Sequence, residues 1–216
     1  MHDQSRSRNK PVVIIEHCED SLSPWIILEY RHASMIYGRD YLLFTNIPAK
    51  YQKILSKYGR VREESVVELV NGGEIPVESL IILDPKASST LEYSDLASAE
   101  YVVVGGILGE HPPRGRTWMY ITSRMPIGAR AFNIGDGQYS IDGAVYFVNY
   151  LWLNKGVSGY QYIDGVRVET EGGEIYLPYR YPVVGGKPLL ADGLEYYLKY
   201  RRIRDDIWRE ILLSDS

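Results

Sequence analysis

The stretch VVVGGILGEHPPRGRT, from Val102 to Thr117, runs three valines into two glycines, then into an acid, a histidine and two prolines. An apolar strand ending in a glycine-rich turn is the form of many nucleotide sites. Glycine lets backbone N–H groups approach a ligand, and the helix that follows favours an anion at its N-terminus. The details here depart from that form. A dinucleotide fingerprint needs GxGxxG at the first βα turn and an acid about 20 residues on; this spacing is GGxxG, and it falls mid-chain. A phosphate loop needs Gly-Lys-Ser/Thr, which is absent. His111, Pro112 and Pro113 stand where a phosphate-binding helix would begin. Alone, the turn reads as relief of backbone crowding.

Two other apolar segments end in a similar way. Residues 79–83 read as a strand closed by Asp84-Pro85, and residues 129–134 as a strand flowing into Gly135-Asp136-Gly137. Three such ends side by side would wall a pocket with backbone. That suits a ligand with an adenine ring and an amino-acid tail but no phosphate, such as S-adenosylmethionine, with Ile107, Leu108 and Ile134 placed to sandwich the ring.

The rest of the chain supports a sheet on which strand ends can adjoin. Strands are expected at residues 11–16, 41–44 and 101–104. Ser23-Pro24 caps a helix that Gly38 ends. Further helices are expected at 47–57, 117–124 and from Ser140 or Asp142 to 154, with 66–70 either a short strand or a helix end. Alternating strands and helices give an α/β fold, a mostly parallel sheet with helices on both faces. The last third changes character, with short strands at 160–168 and 174–179 and a helix over 189–211 interrupted near Gly193. We expect a small α+β extension. The division is a loose tail at 1–10, a main domain at 11–155 and an extension at 156–216.

Composition narrows the function classes. The chain has 216 residues, formal net charge −4, one cysteine and four histidines, with nineteen Tyr against three Phe. A lone Cys18 forms no intrachain disulfide, and this inventory excludes a CxxC-type zinc site, so no metal is expected. No apolar run nears the roughly 20 residues that span a membrane. The first ten residues, MHDQSRSRNK, lack the apolar core of a secretory signal. A cytoplasmic protein is expected. Its acidic balance argues weakly against gripping nucleic acid by charge.

Three blocks in order resemble one family. GGILGEHPPRGRT is similar to the signature of the SPOUT-class methyltransferases related to a yeast protein arginine methyltransferase. VIIEHCEDSLSPWIILEY (Val13 to Tyr30) resembles that family's amino-terminal block. IGDGQYSIDGAV (Ile134 to Val145) resembles its carboxyl-side block at Gly135, Gln138, Asp142, Ala144 and Val145. The resemblance implies a carboxyl-side trefoil knot, with S-adenosylmethionine bound in it by backbone-rich loops. The prolines would then stiffen a clasp rather than start a phosphate-binding helix. The cofactor loops carried over are Leu83, Asp84 and Pro85; Gly105, Gly106, Ile107, Leu108, Gly109 and His111; and Ile134, Gly135, Asp136, Gln138 and Ser140. The chain departs from the family where Asp136 and Gly137 replace less polar residues and Gly143 replaces a hydroxyl residue.

The acceptor decides the remaining residues. A guanidinium is cationic and a poor nucleophile, so carboxylates must hold and polarise it. The candidates are Glu16, Glu29, Glu110 and Asp142. Each has a plainer reading, as strand-end, helix-surface, loop or helix-cap acid. Arg114 and Arg116 read either as contacts for an anionic group or as a loop-locking ion pair. The partner implied is a protein substrate, a ribosomal protein by resemblance. RNA methylation and a non-catalytic binding module are the alternatives, and the oligomeric state is open.

Overall fold

The computed structural model describes residues 10–109 and 114–212. Among them, six strands form one sheet: β1 (Val12–His17), β2 (Leu42–Thr45), β3 (Arg60–Val61), β4 (Leu80–Leu83), β5 (Tyr101–Gly106) and β6 (Arg130–Phe132). Their spatial order is β3-β2-β1-β5-β4-β6, and every pairing is parallel. The expected mostly parallel sheet is what the chain builds.

Both faces are covered, so the central strands are continuously apolar. Alternate residues serve opposite faces. Val13, Ile15, Phe44, Ile81, Val102 and Val104 belong to one core. Ile14, Leu43, Ile82 and Val103 belong to the other, against α3 (Val66–Asn71). The first face carries α1 (Pro24–Tyr37), α4 (Tyr93–Ser98) and α6 (Ile141–Asn154). Local chemistry sets α1 as expected: the Ser23 hydroxyl accepts from Ile26 N–H, Pro24 stands in the first turn, and Gly38 leaves the helix at φ 88°. The uncertain residues 66–70 are helical because Ser65 and Glu68 close a reciprocal capping box. α2 (Ala49–Leu55) and α5 (Arg116–Tyr120) are shorter than expected.

The carboxyl-terminal third adds an antiparallel sheet, β7 (Tyr162–Thr170), β8 (Gly173–Val184) and β9 (Lys187–Pro188). α7 (Leu194–Tyr200) and α8 (Asp205–Leu212) follow. The one helix expected over 189–211 is two, broken where Arg201 turns left-handed at φ 56°. Arg204, between the two helices, pairs with Asp192 and Asp206. The extension shares the main core through Val168, Leu177, Tyr181, Leu194 and Ile207. Arg31 of α1 reaches α8 and meets Glu210 with two nitrogens, at 2.9 and 2.7 Å. The tail at 1–9 lies outside the described residues.

Candidate functional site

β5, β4 and β6 are neighbours in the sheet, so their carboxyl ends adjoin. The three loops leaving them enclose a cavity of about 350 Å³, within the usual range for small-molecule sites. From the first loop come Leu83, Asp84 and Pro85, and from the second Gly105, Ile107 and Gly109. Ile134, Gly135, Asp136, Gln138 and Ser140 complete it. Gly135 sits at φ 100°, which favours glycine. The sequence-based reading missed Lys86, Val104, Thr117, Tyr139, Ile141 and Ala144, which also line the cavity. Their only local signal is position beside those turns.

Two loop residues stand elsewhere. Gly106 does not line the cavity: a Cβ there would run into the Tyr30 hydroxyl and come 2.8 Å from the Glu16 carbonyl oxygen. Its glycine serves the packing of α1 on β5. Leu108 faces the main core, so of the expected sandwich Ile107 and Ile134 alone line the cavity. Glu19 and Arg116 clamp Leu108. Its N–H donates to Glu19 at 2.8 Å, its carbonyl accepts from Arg116, and Arg116 meets Glu19 at 3.1 Å. For Arg116 the loop-locking reading is the observed one. His111 and Glu110 fall outside the described residues.

The third loop is held from the extension. Arg180 of β8 is buried and makes a two-nitrogen pair with Asp164 at 2.7 and 2.8 Å. It also meets Asp136 at 2.9 Å and lies 3.9 Å from the centre of the Tyr162 ring. Its backbone N–H donates to the Gln138 carbonyl at 2.7 Å. A Cβ on Gly137 would collide with this guanidinium. The Asp136-Gly137 departure thus has a physical reason: one residue pairs with Arg180 and the next makes room for it. A Cβ on Gly143 meets the Ser140 hydroxyl at 2.7 Å and Pro182 at 3.3 Å, so that departure also accommodates the extension.

Among the candidate acids, Glu29 and Asp142 meet at the start of α6. Glu29 accepts from Trp25 Nε1 at 2.6 Å and from Ile141 N–H at 3.0 Å. Trp25 and Glu29 stand one helical turn apart, which brings them into that bond. Asp142 accepts from Gly143 N–H at 2.9 Å and lies 2.7 Å from His32 Nδ1. Burial, then the neighbouring Asp142 charge, pushes the Glu29 carboxyl well above the usual range. The Tyr181 hydroxyl feels both acids and has no hydrogen-bond partner among the described residues. Ser140 and Ile141, which these groups position, line the cavity.

Glu16 turns the other way. Its Oε2 accepts from Thr45 at 2.5 Å and from Val66 N–H at 2.8 Å, at the start of α3. Burial pushes its carboxyl up to about 7, against those two bonds and with added repulsion from Glu68. None of Glu16, Glu29 and Asp142 lines the cavity, but the helix start that Glu29 and Asp142 hold does, and the one that Glu16 holds does not. His17 bonds Tyr30 through Nδ1 at 3.0 Å, and Cys18 is half-buried packing.

The chain is similar to known proteins along most of its length. The sequence model of the SFM1-like family, protein arginine N-methyltransferases, matches residues 12–204. The chain belongs to this family. It is 28% identical to protein arginine N-methyltransferase SFM1 of Saccharomyces cerevisiae over 199 residues, 84% of this chain and 91% of the relative. A crystal structure of yeast arginine methyltransferase SFM1 complexed with SAM superposes at TM-score 0.78 with 26% identity, covering 90% of this chain and 92% of that one. Trm10 from Thermococcus kodakaraensis, a SPOUT-class methyltransferase, superposes at TM-score 0.51 with 13% identity over 67% of this chain and 93% of its own, a likeness of fold alone.

Proposed function

We propose that this protein is a methyltransferase that moves a methyl group from S-adenosylmethionine to an arginine of a protein substrate, with a ribosomal protein as the specific acceptor. The observation that carries it is the meeting of three strand-end loops on one cavity in a chain of the SFM1-like family.

The residues present suit the cofactor. Leu83, Ile107 and Ile134 offer apolar walls for a ring, while glycine-rich backbone offers N–H and C=O groups to its edge. Arg114 supplies a cation near an amino-acid carboxylate, and no phosphate-binding helix is required. When bound, S-adenosylmethionine supplies an electrophilic methyl on a sulfonium. The protein's task is to place a guanidinium nitrogen in line and exclude water, and such positioning is worth roughly 7–11 kcal/mol. The N–C bond forms as the S–C bond breaks, the electron pair returns to sulfur, and the nitrogen releases a proton. To Glu29, which accepts from the cavity-wall residue Ile141, and to Asp142, which follows Ile141 in sequence, we assign the orienting of the guanidinium and the taking of that proton; Glu16 is engaged at α3. The trefoil-knotted threading belongs to the same reading.

The test uses methyl-labelled cofactor, the full chain and ribosomal extract. Label recovered as methylarginine after protein hydrolysis supports the reading. Label recovered in RNA, or in neither fraction, overturns it.

A further inference from the structure

The residues that leave the cavity towards β6 have a charge unlike the rest of the chain. From Arg114 to Phe132 the sequence holds four arginines and no Asp or Glu, in a protein of net charge −4. Two of these arginines are engaged, Arg116 by Glu19 and Arg130 by Ser98 and the Glu78 carbonyl. Arg124 instead lies over the Tyr120 ring, 5.8 Å from its centre. Lys86, on the adjoining loop, lies 5.3 Å from the centre of the Trp118 ring. Neither meets a carboxylate among the described residues, so their charge is uncompensated.

The rings they cover are themselves on the surface. Trp118, Met119 and Tyr120 are exposed in succession along α5, and Ile127 at the next turn is fully exposed. Single exposed apolar residues need no explanation, but a run of them does. Trp118 is adjacent to Thr117, which lines the cavity, so the patch begins at the cavity's edge.

We propose that this face of α5 docks single-stranded RNA beside the methyl-transfer cavity. Two features choose that occupant. Uncompensated cations call for an anionic partner and disfavour a basic peptide. Exposed indole and phenol rings beside those cations suit a chain that alternates planar bases with phosphates, because bases stack on aromatic faces in a sequence-tolerant way. An acidic peptide would satisfy the cations and leave the rings unused. The RNA contact stands independently of which atom accepts the methyl. Joined to a protein acceptor, it describes an enzyme that recognises a protein segment lying against RNA.

Anisotropy of a short fluorescein-labelled oligouridine RNA, titrated with the full chain at low salt, tests this. Binding should weaken with salt as expected for about two phosphate contacts, a slope of log K against log salt near −1.4. Trp118→Ala and Arg124→Glu should each weaken it about tenfold. Neither residue lines the cavity, so methyl transfer to a short peptide should be unchanged in both variants. That separates the two readings, since loss of transfer in the wild type would count against the methylation reading alone. RNA binding that is absent, or indifferent to both substitutions, overturns the docking site. A polyglutamate peptide that displaces the RNA at equal charge concentration would show a general anion site and overturn the assignment to RNA.

Discussion

Glu16 and Glu29 lie thirteen residues apart in sequence and are equally hidden, at 3% and 2% exposure. Each accepts from one side chain, Thr45 or Trp25, and from one backbone N–H in the first turn of a helix. Both carboxyls are pushed up by burial. Locally they are close to twins, except that Glu16 takes both bonds on one oxygen and Glu29 takes one on each. They differ in the helix they hold: Glu16 secures α3 on one face of the sheet, and Glu29 secures α6, whose first residue walls the cavity. A buried carboxyl with a raised pKa marks a constrained group. The element it constrains decides whether the constraint bears on chemistry.

The largest expected effect separates the pair by activity. If the acid acts on the acceptor as proposed, Glu29→Gln should lower turnover by ~100-fold or more, with donor affinity changed far less. Glu16→Gln should leave turnover within a few-fold. A large turnover loss in Glu16→Gln, with Glu29→Gln near wild type, would break the comparison. The next effect is on stability. Glu16→Gln can keep its amide oxygen on both donors but buries an NH2 group where the second carboxyl oxygen stood, at a cost of about 1–3 kcal/mol, read from denaturant unfolding.

A pH series sharpens the same contrast. The Glu16 carboxyl is raised from an ordinary 4.5 to about 7 in the folded protein. Between those values the folded state binds a proton that the unfolded chain has released. Its contribution is therefore fully present below about 4.5 and is lost as pH rises through 7. Glu29 acts with the same sign. Wild-type stability should fall across that window, and Glu16→Gln should flatten part of the fall. The smallest effect belongs to Asp136→Ala. Asp136 is exposed and Arg180 keeps Asp164, so unfolding should shift by no more than about 0.5 kcal/mol.

These contrasts also show what the sequence could reveal. The sheet was legible because strands buried on both faces read as apolar runs, and α1 because Ser23, Pro24 and Gly38 punctuate it. The three cofactor loops were legible because glycines and Asp84-Pro85 stand at strand ends. Gly106 looked the same as its neighbours, yet its reason lies in Tyr30, which no turn signal reports. α4 was missed because six residues give too little periodicity, and β3 because two residues give none. Arg180 was invisible as a partner of the third loop, being 44 residues from Asp136. The departures at Asp136 and Gly137 were its only trace. Glu16 stands out in the sequence as an acid that ends an apolar strand. Its partners, Thr45 and Val66, come from segments that meet it only after folding.

Calorimetric titration with S-adenosylmethionine of the wild type and of Gly135→Val tests the central claim most directly, namely that the three loops form the donor site. Gly135 stands at φ 100° on the cavity wall, a conformation valine rarely adopts. The account predicts one site per wild-type chain, and in the variant no measurable heat while the cooperative thermal transition is kept. No binding to folded wild type at millimolar ligand, or unchanged binding in the variant, would contradict it.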